Sequence, residues 1–199
     1  MSTKMKTKHV IRIAMAFLAV GIIAACAGRG SKQAAPSEEP AVETCLTAID
    51  RYLTEEIGSQ YLPGEICIPF HPYTDIEETD GGDVLVWGDF WVMNYDVAGD
   101  TLKTVSGGAH PGMMRVVKTP EGHFEVTSFE QVGDGSDWEP TAKRIFGDRF
   151  SDFSKSNSDE KLREQVRLEA VAGYVRDHDL PVKVVKDYGW PAVTIPVTE

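Results

Sequence analysis

The stretch "VLVWGDFWVMNYDV", residues 84–97, decides the fold class because apolar residues occupy both of its alternating sets of positions. Side chains along a regular strand point in turn to opposite faces of a sheet. One face then carries two tryptophans, an aspartate and a tyrosine, and the other carries valines and a phenylalanine. A helix would require a period near 3.6 instead. The sequence therefore predicts a long strand that is covered on both faces.

The neighbouring segments surround this strand with a helix and further strands. Upstream, apolar residues recur at steps of three and four over residues 42–57, which predicts a helix with one apolar stripe. Downstream, turn residues at 98–100 and 119–122 separate strand-like runs. This spacing of turns between strands is typical of an antiparallel meander.

The C-terminal third returns to a helical pattern over residues 158–179. Asn157 is its candidate N-cap, with Glu160 at the spacing of a capping box. Residues 181–196 then form an extended tail that contains prolines. We therefore predict an α+β fold. Its N-terminal helix packs on a curved antiparallel meander sheet of about four to six strands, followed by a long C-terminal helix and the extended tail.

The N-terminus has the layout of an export signal. Four lysines and arginines precede an uncharged apolar run over residues 13–23, as in a secretory signal peptide. The run is too short to cross the hydrocarbon core of a bilayer, which takes about 20 residues. We predict a signal peptide over residues 1–25, a flexible tether over 26–41 and a single α+β domain over 42–199.

The end of the apolar run, Ile23-Ala24-Ala25-Cys26, resembles the lipobox of bacterial lipoproteins. The resemblance implies that Cys26 becomes the lipidated N-terminus and that the protein is anchored to the cell envelope. Ala27 stands where an aspartate is associated with inner-membrane retention, so the outer membrane or cell surface is the expected location. Several acyl chains make a stable anchor, whereas one chain alone binds marginally.

The charge of the mature chain excludes some partners. Removal of residues 1–25 takes four positive charges away and changes the formal net charge from −11 to −15. A protein this acidic repels phosphate backbones, so we expect no nucleic-acid partner. The expected partners are the membrane, through the lipid on Cys26, and an unidentified protein, glycan or small molecule.

Two cysteines remain after lipidation, Cys45 and Cys67. In an exported protein an even number favours one disulfide, which here would join the first helix to a strand and contribute roughly 3 kcal/mol. The alternative is two buried free thiols. The cysteines lack a CxxC pair and the histidines lack HxH or HExxH spacing, so we expect no metal site and no cofactor.

The opening helix and curved sheet, residues 42–135, resemble the cystatin-like and NTF2-like folds, and the whole chain resembles uncharacterised bacterial lipoproteins with such domains. The resemblance implies a cone-like sheet whose concave side can line a pocket. It transfers no catalytic residue.

The candidate binding face consists of aromatic and polar residues of the long strand and one histidine beyond it: Trp87, Asp89, Trp91, Tyr95 and His110. An aspartate between two tryptophans suits a ligand pocket, where burial would raise its pKa and fit it for acid–base chemistry. The alternative is a bulge at Gly88-Asp89 that turns Asp89 to water, and we favour the bulge.

A second candidate site is "TVSGGAHPGMM", residues 104–114. Acyl transfer by Ser106 would need His110 within about 3 Å and an acid to orient the histidine. Glycine, histidine and proline are also common in turns, and we interpret this stretch as a glycine-rich turn between two strands.

Two functional hypotheses follow. The first is a lipid-anchored, exported binding or interaction module that uses the aromatic face of its sheet. The alternative is a small-substrate NTF2-like enzyme of hydrolase or isomerase type, with Asp89 as general acid or base and Tyr95 or His110 assisting.

Overall fold

The computed structural model describes residues 44–197. The predicted signal peptide, the lipidated Cys26 and the tether lie outside the described residues. Among residues 44–197, no helix is long and apolar enough to cross a membrane.

Over residues 44–197, one helix comes first, five strands follow, and three helices and two short strands complete the described part of the chain. The helices are α1 (Cys45–Tyr52), α2 (Trp138–Phe146), α3 (Phe150–Ser158) and α4 (Glu160–Asp177), and α1 runs on through a π-helical turn (Leu53–Ile57) and a 3₁₀ turn (Gly58–Gln60). The strands are β1 (Ile66–Phe70), β2 (Tyr73–Glu78), β3 (Val84–Ala98), β4 (Thr101–Lys118), β5 (Phe124–Gln131), β6 (Val184–Lys186) and β7 (Val193–Thr194).

The sheet is built around the long hairpin of β3 and β4, which pair antiparallel from Val84 opposite Val116 to Ala98 opposite Thr101. Both β1 and β2 pair with the other edge of β3. On the other edge of β4, β5 pairs antiparallel and β6 pairs parallel, and β7 lies beside β6. The α+β class and the long C-terminal helix are confirmed. The described sheet has seven strands and one parallel pair, because the tail adds β6 and β7 to the meander.

The two faces of β3 are those that the alternating pattern predicts. The face with Val86, Phe90 and Val92 packs on α1 and the π-helical turn that follows it, where Ile49 and Leu53 are fully buried. The opposite face packs on the later helices in two separate clusters. One cluster packs Trp87 against α2 and α3, and its buried members are Trp87, Val132, Ala142, Ile145, Phe146 and Phe153. The other packs Tyr95 against α4 and the tail, and its buried members are Ile68, Tyr95, Leu102, Val171, Ala172, Val182, Val185 and Ile195.

The start of α4 differs from the predicted cap. Asp159 is the N-cap, and its carboxylate accepts hydrogen bonds from the backbone N–H groups of Lys161 and Leu162 at 3.1 and 3.0 Å. Asn157 lies inside α3 instead, and its backbone carbonyl accepts a hydrogen bond from Arg163. Asp and Asn are about equally good caps, so residue type alone does not choose between two positions so close together.

Candidate functional site

Trp87 and Tyr95, two of the predicted binding residues, serve as anchors for the helices. Trp87 is 7% exposed, and its indole N–H donates to the carbonyl of Ile145 in α2 at 3.0 Å. Tyr95 is fully buried, and its hydroxyl accepts a hydrogen bond from Arg167 of α4 at 3.1 Å. Both polar groups are occupied within the domain, so neither is free to contact a ligand.

Arg167 also fixes the C-terminal tail. Its guanidinium donates to both carboxylate oxygens of Asp187, at 2.7 and 2.9 Å, and to the Thr104 hydroxyl at 3.2 Å. This hydrogen bonding to Arg167 holds the pKa of Asp187 below its usual range. The network therefore joins α4, β3, β4 and the segment after β6 through one buried cation.

Asp89 lies on the helix-covered face and is 2% exposed. The predicted bulge at Gly88-Asp89 is wrong, because β3 pairs regularly with β4 at both residues. The irregularity is in the neighbouring strand β2, between Tyr73 and Asp75, and the Asp89 N–H donates to the Pro72 carbonyl at 3.1 Å. A side chain at Gly88 would lie 3.1 Å from the Tyr73 Cα atom, so the close approach of β2 explains the glycine.

Asp89 and Trp91 carry polar atoms that lack partners in the described part of the chain. The Oδ1 atom of Asp89 and the indole nitrogen of Trp91 are both buried without a hydrogen bond. Burial raises the pKa of Asp89, and it outweighs the opposing effects of the Trp91 N–H and the positive charge of Arg163. We call these two residues the Asp89–Trp91 pair.

The Trp91 ring is in contact with two other side chains. Phe70 stacks on it with ring centroids 5.6 Å apart, and the guanidinium of Arg163 lies 5.5 Å from its centroid. Arg163 donates to the carbonyl of Asn157 in α3. The indole is therefore held in place, with its N–H near enough to Asp89 to lower the pKa of that carboxyl but without a well-formed hydrogen bond.

The stretch 104–114 is the interior of β4, and its interpretation as a turn is wrong. Two of its glycines are required by close packing within the sheet. Gly107 has φ +145°, and a side chain there would collide with the Val92 carbonyl; a side chain at Gly108 would collide with the Tyr61 hydroxyl. These contacts join residues that are distant in sequence.

The outer edge of β4 is paired at its two ends but not in the middle. β6 pairs with residues 101–103 and β5 with residues 112–118, whereas no described strand pairs with residues 104–111 on that side. Val132 continues the line of β5 by one bond, from its N–H to the Pro111 carbonyl at 2.8 Å. We call residues 105–110 the open edge.

The register shows which backbone groups face the open edge. Pro111 has no N–H and its carbonyl points outward to Val132, so its pair with Asp89 is a non-hydrogen-bonded pair. Because such pairs alternate along an antiparallel ladder, Ala109 and Gly107 also direct their N–H and C=O groups outward. No strand in residues 44–197 takes up these four groups. Ala109 is exposed and pairs with Trp91, which brings the open edge next to the Asp89–Trp91 pair.

His110 is on the other face of the sheet from Asp89. Its Nε2 atom lies 2.9 Å from the Tyr61 hydroxyl and its Nδ1 atom 3.4 Å from the Gln131 side chain, and burial lowers its pKa. Ser106 shares that face but donates to the Leu62 carbonyl at 2.5 Å. Four residues along a strand span roughly 13 Å, so Ser106 and His110 do not form a catalytic dyad.

The predicted disulfide is wrong, since Cys45 and Cys67 are free thiols. A side chain at Gly58 would lie 2.7 Å from the sulfur of Cys67, which places Cys67 beside the far end of the first helix. Cys45 begins that helix, roughly 20 Å away along its axis. A disulfide needs the two Cα atoms within about 7 Å. Burial raises the pKa of both thiols.

Metal ligands are not clustered in the part of the chain that the structure describes: no group of three or more His, Cys, Asp or Glu side chains there could hold an ion. Comparisons with protein-family models, with curated proteins and with solved structures found no match to this chain. The candidate functional site is therefore the open edge with the neighbouring Asp89–Trp91 pair.

The open edge was missed at the sequence level, although one residue signals it. A proline inside a strand is compatible only with an edge, a bulge or the first position, because it cannot donate to a ladder. Pro111 follows a long apolar strand and a tight turn, so an edge at this position could have been inferred.

Proposed function

We propose that the protein is a lipid-anchored, exported binding module whose ligand occupies the open edge of β4 beside the Asp89–Trp91 pair. One observation carries the proposal: unpaired hydrogen-bonding groups converge on this one part of the domain. They are the outward N–H and C=O groups of Gly107 and Ala109, the buried Asp89 Oδ1 and the buried Trp91 N–H. Buried polar groups without a well-formed hydrogen bond are uncommon in folded domains, so the Asp89–Trp91 pair marks this part of the domain, and a bound molecule would supply partners to the outward groups of the edge beside it.

The geometry favours binding over nucleophilic catalysis. Ser106 is engaged with a backbone carbonyl and is far from His110, and His110 lies on the face opposite Asp89. No nucleophile, base and orienting acid meet among these residues. The site is therefore suited to holding a ligand through hydrogen bonds.

Anchoring is tested by metabolic labelling with an alkyne-bearing fatty acid. The natural chain should take up the label and sediment with membranes, because the lipobox-like sequence ends at Cys26. The Cys26→Ser variant should lose both properties. Label in both proteins, or in neither, would exclude lipidation at Cys26.

Ligand binding is tested with the ¹⁵N-labelled mature Cys26→Ser chain. An envelope extract is separated into polypeptide, glycan and small-molecule fractions, and each fraction is titrated into the protein. At least one fraction should shift the Trp91 indole signal and the amide signals of Gly107 and Ala109. The indole of Trp190, which is 70% exposed, reports non-specific contact. If no fraction shifts the three site signals, the proposed binding function fails.

A second candidate function is acid–base catalysis on a small substrate by Asp89. Burial raises the pKa of this carboxyl, and the raised pKa favours catalysis because a general acid or base works best when its pKa lies near the working pH. Tyr95 and His110 could not assist, since one is bonded to Arg167 and the other is on the opposite face. A proton NMR time course of the small-molecule fraction provides the test. Turnover by the natural protein but not by the Asp89→Asn variant supports catalysis. Spectra that stay unchanged with both proteins exclude it.

A further inference from the structure

The partner class follows from what the open edge offers, and this step rests on the proposed binding function. We infer that the open edge accepts an extended polypeptide, which adds to β4 as a strand between β5 and β6 and carries a lysine or arginine beside Ala109. Strand addition uses the backbone N–H and C=O groups of an unpaired edge, and side-chain contacts then give specificity.

The space along β4 has the dimensions of a short strand. Residues 105–110 lack an outer partner among the described strands, which corresponds to roughly 20 Å of strand. β5 and β6 pair with the same edge of β4 on either side of this space. An added strand would therefore complete an interrupted row of the sheet.

The two ends of the open edge are limited by specific residues. Val105 is an extra residue in the β3–β4 register, since Tyr95 pairs with Thr104 and Asn94 with Ser106. At the other end of the open edge, Pro111 has no backbone N–H to donate to an added strand. Bulges and prolines are the devices by which sheets prevent uncontrolled pairing at their edges. They leave Gly107 and Ala109 as the two residues that can each exchange a pair of hydrogen bonds with an added strand.

The side-chain preference follows from the charges and the small residues beside the edge. On the helix-covered face, the small residues Gly107 and Ala109 would lie between the added strand and β3, so a long side chain from the added strand can lie across them towards Trp91 and Asp89. Within residues 44–197 Asp89 forms no ion pair, and Arg163 acts on it only through its charge while donating a hydrogen bond to the Asn157 carbonyl. The predicted mature chain has a formal net charge of −15, which attracts a cationic partner.

The test selects linear peptides of about nine residues from a displayed random library, using the mature Cys26→Ser chain as target. Enriched sequences should carry lysine or arginine within an extended, β-prone pattern. When synthesised, they should slow hydrogen exchange at the Gly107 and Ala109 amides. A matched peptide, N-methylated at the residues that pair with β4, should bind about threefold to tenfold more weakly for each hydrogen bond removed.

Two substitutions at one position separate the backbone from the side-chain part of the inference. Ala109→Pro removes one outward N–H and leaves the bonds to β3 intact, so it should weaken peptide binding about threefold to tenfold. Ala109→Ser keeps the N–H and a small side chain, and it should bind as the natural chain does. The N-methylated peptide makes the same test without changing the protein, in case Ala109→Pro does not fold.

Asp89→Asn tests the cation. It should reduce the preference for arginine over norleucine at the enriched position about tenfold. An unchanged preference would overturn the choice of a cationic residue.

Other outcomes would overturn the strand itself. They are the absence of any enriched peptide, protection of amides elsewhere, equal binding by the N-methylated peptide, or pairing of the open edge with a second copy of the chain, seen as a concentration-dependent dimer that protects these amides. If peptides fail while the glycan or small-molecule fraction still shifts the Trp91 signal, the polypeptide inference falls and the binding function stands. If no fraction shifts that signal, both fall.

Discussion

Replacement of Asp89 by asparagine should change how stability depends on pH. Burial raises the pKa of Asp89 in the folded state above its value of 3.8 in model compounds. The folded state then binds the proton more tightly than the unfolded state does. The stability that this proton contributes is complete below the unfolded pKa and is lost as the pH rises through the folded pKa. The asparagine side chain has no such proton, so the variant lacks this loss.

The size of the change in stability with pH is set by the one proton that Asp89 binds. Between the unfolded and folded pKa values, the free energy of unfolding of the natural chain should fall relative to Asp89→Asn by at most about 1.4 kcal/mol per pH unit. Above the folded pKa the difference should become constant. Any contribution of the new amide that does not depend on pH shifts the whole difference curve and leaves its slope unchanged.

Urea unfolding of the mature Cys26→Ser chain, followed by tryptophan fluorescence from pH 4 to pH 8, measures this difference. Asp96→Asn, at an exposed position near the end of the same strand, serves as the matched control for an Asp-to-Asn exchange. Parallel stability curves for the natural chain and Asp89→Asn would refute the reasoning, as would a natural chain that gains stability relative to the variant as the pH rises.

Three further predictions concern other parts of the domain. Arg167→Met leaves Asp187 without its buried partner, and urea unfolding should show a free energy of unfolding that is lower by about 3–5 kcal/mol. A loss below about 1 kcal/mol, which is the range of a surface ion pair, would contradict the network. Gly108→Ala should lower the melting temperature because its methyl group meets the Tyr61 hydroxyl, and Tyr61→Phe should restore part of the loss; strictly additive effects would exclude this contact. The two free thiols should make the melting temperature insensitive to dithiothreitol, and a drop on reduction would show that a disulfide exists.

The long strand could be predicted because its signal is local. The alternation over residues 84–97 fixes which side chains share a face. Because both faces carry apolar side chains, each must pack against another part of the protein. What covers the faces depends on contacts between distant segments. The sequence pattern therefore identified the face with Trp87, Asp89 and Tyr95 but did not show that the later helices use it as their core.

The incorrect predictions share a physical cause. Gly88, Gly107 and Gly108 suggest a bulge or a turn when only their neighbours in sequence are considered. In the fold, each gives room to a distant group: the backbone of Tyr73, the carbonyl of Val92 and the hydroxyl of Tyr61, respectively. The disulfide prediction failed in the same way, since the distance between the two cysteines depends on the length and direction of the first helix.

The last described residues have a consequence for how the chain acquires its structure. Val182, Val185 and Ile195 fill the same core cluster as Tyr95, and β6 pairs with residues of β4 that are roughly 80 positions earlier in the chain. This half of the core cannot close until almost the whole polypeptide has been made. A chain exported as its N-terminal sequence predicts would thus stay incompletely folded during synthesis, which keeps it threadable through a translocation pore until its C-terminus emerges.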